Sequence, residues 1–276
     1  MAALHPTVVV TGATGALGSA VAGVLVGRGA RVVLMSRPSD RLDALAARLG
    51  GAEKRVSVVP VDLSSPASVR AAARELNGDG GHVQALLNVA AVFVPTYKKT
   101  REGIEVMLAT NHLGPFLLTN LLRDRLLRGG RVITVTAPSN TRVDLDRLLD
   151  RDRFNALRSF AATKSANLMF TFELSRRAKR WDVRANAFHP GVLRSGLMKD
   201  APRAARAATR VFGRPADHAA ADLADLALSP AHAGTTGWFF KGARRIDPPK
   251  HTIDIGAQSV LWKRSAGLVE LESFGF

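Results

Sequence analysis

The sequence contains no cysteine. That removes disulfides, thiolate nucleophiles and cysteine-ligated metals together, and no metal site is expected. It has a single tyrosine, Tyr97, and aromatic residues make up 6% of the chain. No apolar run reaches the roughly 18 residues of a membrane-spanning helix. The first residues, Met1 to Pro6, lead straight into a β-branched run, so no signal peptide is expected. Acidic residues are scarce: 23 stand against 39 basic ones, for a formal charge of +16. The arginines fall in patches, Arg123 to Arg131, Arg142 to Arg158 and Arg176 to Arg184. No helix-turn-helix signature, metal-finger spacing or aromatic ladder accompanies them, so a solvated basic surface is favoured over a nucleic-acid site. An acidic carrier protein is the partner such a surface would steer. Nor is there a Gly/Ser/Pro linker or a short-period repeat. One domain over 1–276, cytoplasmic, is the simplest organisation for a chain that is 46% hydrophobic.

What is present begins with the first turn, Thr7 to Gly18. Val8 to Val10 reads as a fully buried strand, and Leu17 to Val26 has helical length. Glycines 12, 15 and 18 between them allow a sharp turn, close approach to a pyrophosphate and tight helix–strand packing. The phosphate then meets free N–H groups at a helix N-terminus. A second strand, Ala30 to Ser36, ends at Arg37, where an NAD-preferring site places a carboxylate; arginine there suits the 2′-phosphate of NADP. A third strand, Val56 to Val61, closes on Asp62, placed either to meet an adenine amino group or to cap the helix beginning near Pro66. A fourth, Val83 to Val92, carries Asn88.

The region from Ile104 is helical, with Asn111 on its apolar face and a kink expected at Gly114-Pro115 just beyond. Arg131 to Thr136 is a fifth strand, ending at Ala137-Pro138-Ser139. A long helix follows from about Ala156 to Lys179, then a sixth strand, Val183 to Phe188, and a turn at His189-Pro190-Gly191. Residues 194–215 read as a mobile or helical flap, 237–240 as a short seventh strand, and 241–276 as a C-terminal extension ending in an amphipathic helix. Trp262 on that helix is assigned to core or dimer packing, and a homo-oligomer is expected. Strand–helix alternation at roughly 25- to 30-residue intervals predicts a Rossmann-type, doubly wound parallel sheet of about seven strands with helices on both faces.

The order of these features resembles the short-chain dehydrogenase/reductases, and within them the retinol-dehydrogenase-like branch. The resemblance runs through the glycine turn, Asp62-Leu63-Ser64-Ser65, Pro95 to Gly103, Asn111 to Thr119, Lys164-Ser165-Ala166-Asn167, His189 to Val192 and Leu261-Trp262-Lys263. It implies an NADP(H) cradle of Gly12, Thr14, Gly15, Leu17, Gly18, Arg37, Asp62, Leu63, Asn88, Ala90, Lys164, Pro190, Gly191 and Val192. It also implies four chemical positions: a tyrosine that passes a proton to the substrate oxygen, a lysine that lowers its pKa and holds the ribose, a serine that polarises the carbonyl, and an asparagine behind the lysine supporting a water relay. The lysine is Lys164 and the asparagine Asn111. The tyrosine position is Phe160 and the serine position Ala137, so both proton-handling hydroxyls are missing. The family's Asn-Asn-Ala-Gly is altered to Asn88-Val89-Ala90-Ala91, and the 12, 15, 18 glycine spacing is closer to the family's extended branch.

A general acid contributes about 10²–10⁴-fold and an oxyanion donor about as much again, so their joint loss cripples ordinary carbonyl reduction. Candidate substitutes are Tyr97, Ser139, Thr163, His189 and Lys164 itself. Three readings follow: a non-redox enzyme that cyclises, isomerises or eliminates on an apolar small molecule, with specialised metabolism as its setting; an NADP(H)-dependent oxidoreductase of a carbonyl, enone or imine with a substitute proton donor; or a catalytically silent NADP(H)-binding sensor or partner protein.

Overall fold

Valines 8 to 10 are buried on both sides, which is what a strand sandwiched between two helical layers requires. The computed structural model describes residues 5–50, 55–203, 206–207, 211, 213–271 and 275–276. Among them run β1 (Thr7–Thr11), α1 (Ala16–Gly27), β2 (Arg31–Ser36), α2 (Asp40–Gly50), β3 (Val56–Pro60), α3 (Pro66–Gly78) and β4 (Val83–Asn88). There follow α4 (Val106–Leu108), a π-helical turn (Ala109–Leu113), α5 (Gly114–Leu121), α6 (Arg123–Leu126), β5 (Arg131–Val135), α7 (Leu145–Leu149), α8 (Ala156–Arg177) and β6 (Arg184–His189). The last elements are α9 (Asp217–Leu228), β7 (Phe239–Lys241), β8 (Arg244–Arg245) and α10 (Ile255–Leu268).

The sheet order is β3-β2-β1-β4-β5-β6-β7-β8. The strand order reverses between β1 and β4, which opens a crevice at their C-terminal ends. Alternation along the strands divides the core. Val8, Val10, Val32 and Leu34 face the layer of α1, α2 and α9, whereas Val9, Val33 and Met35 face that of α3, α5, α8 and α10.

The sheet has eight strands, not seven. β8 pairs antiparallel with β7 through Phe240↔Arg245 and Lys241↔Arg244. Two exposed arginines carry no hydrophobic period, so the pattern does not announce this strand. β4 stops at Asn88 rather than Val92, because the Thr11 hydroxyl accepts hydrogen bonds from the N–H groups of Val89 and Ala90 and turns the chain out of the sheet. The kink expected beyond Asn111 lies at Asn111 itself, as the π-turn. Pro115 has no N–H to offer the Asn111 carbonyl one turn earlier, and Gly114 N–H reaches back to Ala109 O instead. Asn167 Nδ2 donates to the freed carbonyl at 2.9 Å.

Asn167 belongs to a buried polar chain. His112 Nδ1 lies 3.2 Å from Asn167 Oδ1, and His112 Nε2 lies 2.9 Å from Ser265 Oγ on α10. Burial pushes the His112 pKa down to about 4, so the ring stays neutral. Trp262 is core: its ring lies 4.9 Å from that of Phe116 and 5.8 Å from that of Phe170. The 194–215 segment falls partly outside the described residues. Its described base is fixed by a parallel bridge, Leu193↔Arg214. No helix among the described residues is long and apolar enough to cross a membrane.

Candidate active site

The glycine turn is built by close backbone approach. Gly12 has φ +66°, and a Cβ there would lie 2.7 Å from Ala90 Cα. A Cβ on Gly18 would lie 2.2 Å from Gly12 O. Gly15 is the N-cap of α1, with no side-chain cap and no acidic residue in the first turn. The opening N–H groups and the positive helix end therefore face the crevice without an internal anion. Thr11 also donates from its hydroxyl to Leu87 O at 3.2 Å, fastening β1 to β4 at the reversal point. Asn88, beside it, has a buried Oδ1 with no partner, as expected where a polar ligand completes the site.

At the end of β2, Thr14 Oγ1 and Ser36 Oγ are 3.0 Å apart, and Arg41 Nη2 donates to Thr14 O at 3.1 Å. Arg37 is exposed next to Ser36. Arg41 and two hydroxyls thus meet at one corner, with Arg37 next to Ser36 in the chain, and arginines and hydroxyls are a donor set that matches a phosphate. Asp62 does not cap α3; Ser65 does, accepting from Ser68 N. The Asp62 carboxylate instead accepts from the N–H and hydroxyl of Ser64 through Oδ1. Leu63 is overlain by α5, since a Cβ on Gly114 would lie 2.3 Å from Leu63 O. Pro190, Gly191 and Val192 follow β6, with Gly191 at φ +78° and Val192 exposed.

On α8, capped by Asn155, Phe160 and Lys164 stand one turn apart on one face. Lys164 Nζ lies 4.9 Å from the Phe160 ring centroid. The residue is 8% exposed, and burial pushes its pKa down to about 8. Thr136 Oγ1 donates to Lys164 O at 2.8 Å, tying the end of β5, and with it Ala137, onto α8 at the lysine.

The Asn111 side chain is fully committed. Its Oδ1 accepts from Val92 N at 2.7 Å, and its Nδ2 donates to Val92 O at 3.0 Å and Thr163 Oγ1 at 3.3 Å. Asn111 here locks the loop after β4 to α8.

Two of the candidate substitute donors, Thr163 and Tyr97, have their hydroxyls committed elsewhere. The Thr163 hydroxyl donates to Phe160 O at 2.7 Å, and Ser139 Oγ accepts from Thr141 N. Tyr97 donates to Leu149 O at 2.6 Å and packs edge-on against Phe154. His189 ends β6 with its pKa lowered by burial and by Lys241. Ser139 keeps its hydroxyl proton, His189 Nδ1 is buried without a partner, and Lys164, one turn from Phe160, keeps its ammonium protons.

Around Phe160 the packing is apolar. Phe93, Met107 and Ala201 are buried there, with Val92, Val94, Phe154, Ala156, Leu197 and Met198 packed against them. The Phe93 and Phe160 rings meet edge to face at 5.7 Å.

Comparison with known proteins agrees with this architecture. The family model described as short chain dehydrogenase matches residues 6–206. The chain belongs to the short-chain dehydrogenase/reductase family. Retinol dehydrogenase 14 of Mus musculus is 32% identical over 95% of this chain and 85% of its own length, which places the chain in the retinol-dehydrogenase-like branch. A crystal structure of an uncharacterised protein from Mycobacterium paratuberculosis is 30% identical and superposes with a TM-score of 0.75, covering 97% of this chain and 94% of that one. A short chain dehydrogenase from Burkholderia cenocepacia J2315, solved in complex with NADP, is 24% identical with a TM-score of 0.70 over 86% of this chain and 95% of its own; it shares the fold.

As a short-chain dehydrogenase/reductase the chain is expected to hold a nicotinamide dinucleotide. The uncapped α1 N-terminus, the glycine cradle and the orphaned Asn88 Oδ1 fit that group. Thr11, Ser36, Arg41 and Asn167 were not singled out as site residues from the sequence. Thr11 opens the glycine motif, and Arg41 lies one helical turn after Arg37; those were the available signals.

Proposed function

We propose that this protein binds NADP(H) and acts on an apolar small molecule by a non-redox route of cyclisation, isomerisation or elimination, with Lys164 as the proton carrier. The observation that carries this reading is the aromatic ring, in place of a hydroxyl, facing the Lys164 ammonium. Phe160 cannot protonate a substrate oxygen, and Ala137 cannot polarise one. An ammonium with pKa about 8 is a serviceable acid near neutrality and, once deprotonated, a base. The apolar cluster about Phe93 and Phe160 orients the substrate and keeps water from competing.

A bound nicotinamide dinucleotide would supply hydride chemistry. The residues that would hold it are Gly12, Gly15 and Gly18 at the pyrophosphate, Arg37 and Arg41 at a 2′-phosphate, and Asp62 at the adenine. Lys164 would hold the ribose.

A second reading, an NADP(H)-dependent oxidoreductase of a carbonyl, enone or imine, draws support from the name of the mouse relative, a dehydrogenase. In it Lys164 delivers the proton that a tyrosine would have given. Single-turnover reactions with apolar aldehydes, enones and imines, read by nicotinamide absorbance together with product mass, separate the two. Substrate conversion with the absorbance unchanged is the expected result. Stoichiometric loss of absorbance establishes the second reading, and tight dinucleotide binding without any conversion leaves a catalytically silent binding protein.

A further inference from the structure

Phe93, whose ring meets that of Phe160, also lines a groove of about 520 Å³, well within the range of small-molecule sites. One wall is the segment after β4, with Phe93, Val94 and Lys98; the other is the segment after β6, with Lys199, Asp200 and Ala201. The two walls differ in chemistry along their length. Phe93 and Ala201 are buried and join the cluster that contains Phe160, whereas Lys98 and Lys199 are exposed at the mouth. Neither lysine has an ion-pair partner among the described residues. Arg206 lies on the same rim and donates to Lys199 O at 3.5 Å. Asp200 is the one carboxylate in the lining, against two lysines and an arginine. The second wall is two-sided: Leu197, Met198 and Ala201 pack inward on the Phe93–Phe160 cluster, and Lys199 between them turns to the groove.

We propose that the substrate is an amphiphile whose carboxylate end is held between Lys98 and Lys199 while its apolar body lies along Phe93 toward Phe160. This rests on the reading of the cleft as a site for an apolar small molecule and adds the anionic end to it. A ligand long enough to reach Phe160 from the mouth has one end in a water-poor cluster and the other between two ammonium groups from opposite walls. An uncharged ligand of the same length leaves those cations without a counter-charge. Each exposed lysine contact should contribute about three- to fivefold in affinity, screened by salt.

The test is calorimetric titration of the full chain, with NADP⁺ present, by dodecanoate and by dodecanol. NADP⁺ binding is measured separately, and circular dichroism checks each variant's fold. The expected result is about tenfold tighter binding of dodecanoate, an advantage that shrinks at high salt. Lys98→Glu/Lys199→Glu should abolish it while dodecanol and NADP⁺ still bind. The milder Lys98→Gln/Lys199→Gln pair gives the same reading if charge reversal perturbs folding. Equal affinity for the two ligands, or a preference that survives in both double variants, overturns the carboxylate site and leaves the apolar cleft standing. Binding of neither ligand by the unaltered chain overturns both.

Discussion

Lys164 is a cation in a place that disfavours cations, and replacing it with methionine should make the protein more stable. The displacement of its pKa from 10.5 to about 8 arises from burial and corresponds to roughly 3 kcal/mol against the charged form. Below about pH 8 the lysine is protonated in both folded and unfolded chains, and the penalty acts in full. Between about 8 and 10.5 the unfolded chain holds the proton and the folded chain does not, so stability rises with pH. Above 10.5 both forms are neutral and the penalty is gone.

Lys164→Met should therefore raise the unfolding free energy by about 3 kcal/mol at pH 7, with the gain fading across that window. Urea denaturation of both proteins without cofactor, at pH 7 and again near pH 10, measures it. Taking the difference at each pH cancels the other titrating groups. A variant less stable than the parent at pH 7, or a difference that does not change with pH, refutes the reasoning. The same variant should bind NADPH more weakly if the lysine holds the ribose.

Three further outcomes are expected. Phe160→Tyr with Ala137→Ser should raise NADPH-dependent reduction of simple aldehydes by at least about 100-fold, followed by nicotinamide absorbance; no rise argues against a competent nicotinamide position. Arg37→Glu should weaken NADPH binding about tenfold and leave NADH nearly unchanged in fluorescence titration, the charge having been directed at the 2′-phosphate. Within α1 two glycines should respond oppositely. Gly18→Ala places a Cβ 2.2 Å from Gly12 O and should cost about 1–3 kcal/mol and dinucleotide binding, whereas Gly27→Ala meets nothing within 4 Å and should be neutral or stabilising by about 0.5 kcal/mol in thermal unfolding.

Much of this architecture was legible in the chain because it rests on short-range rules. Val8 to Val10 is β-branched and uninterrupted, glycines 12 and 18 stand where backbones touch, and Phe160 and Lys164 share a helix face by spacing alone. What was not legible depends on partners distant in sequence. An asparagine can bond in many directions, and nothing near Asn111 says that Val92 and Thr163 will take its amide. Pro115 signals a disturbed helix, but the position of the disturbance follows from the carbonyl it deprives. By its position in the chain Asp62 is a candidate cap for α3, and only the folded turn shows that it bonds Ser64 while Ser65 caps the helix. β8 is two arginines long, too short for any period to show.

The hydrogen-bonded chain from the Asn111 carbonyl through Asn167 and His112 to Ser265 has a consequence for biosynthesis. Its members emerge from the ribosome far apart in time, and the π-turn that carries Asn111 cannot acquire its last support until Ser265 has been made. Until then Phe116 and Phe170 lack the indole of Trp262 that covers them. The glycine turn, held against Ala90 once β4 has paired with β1, can form early on the nascent chain, whereas the face that carries Asn111 gains its last support only after Ser265 has been made.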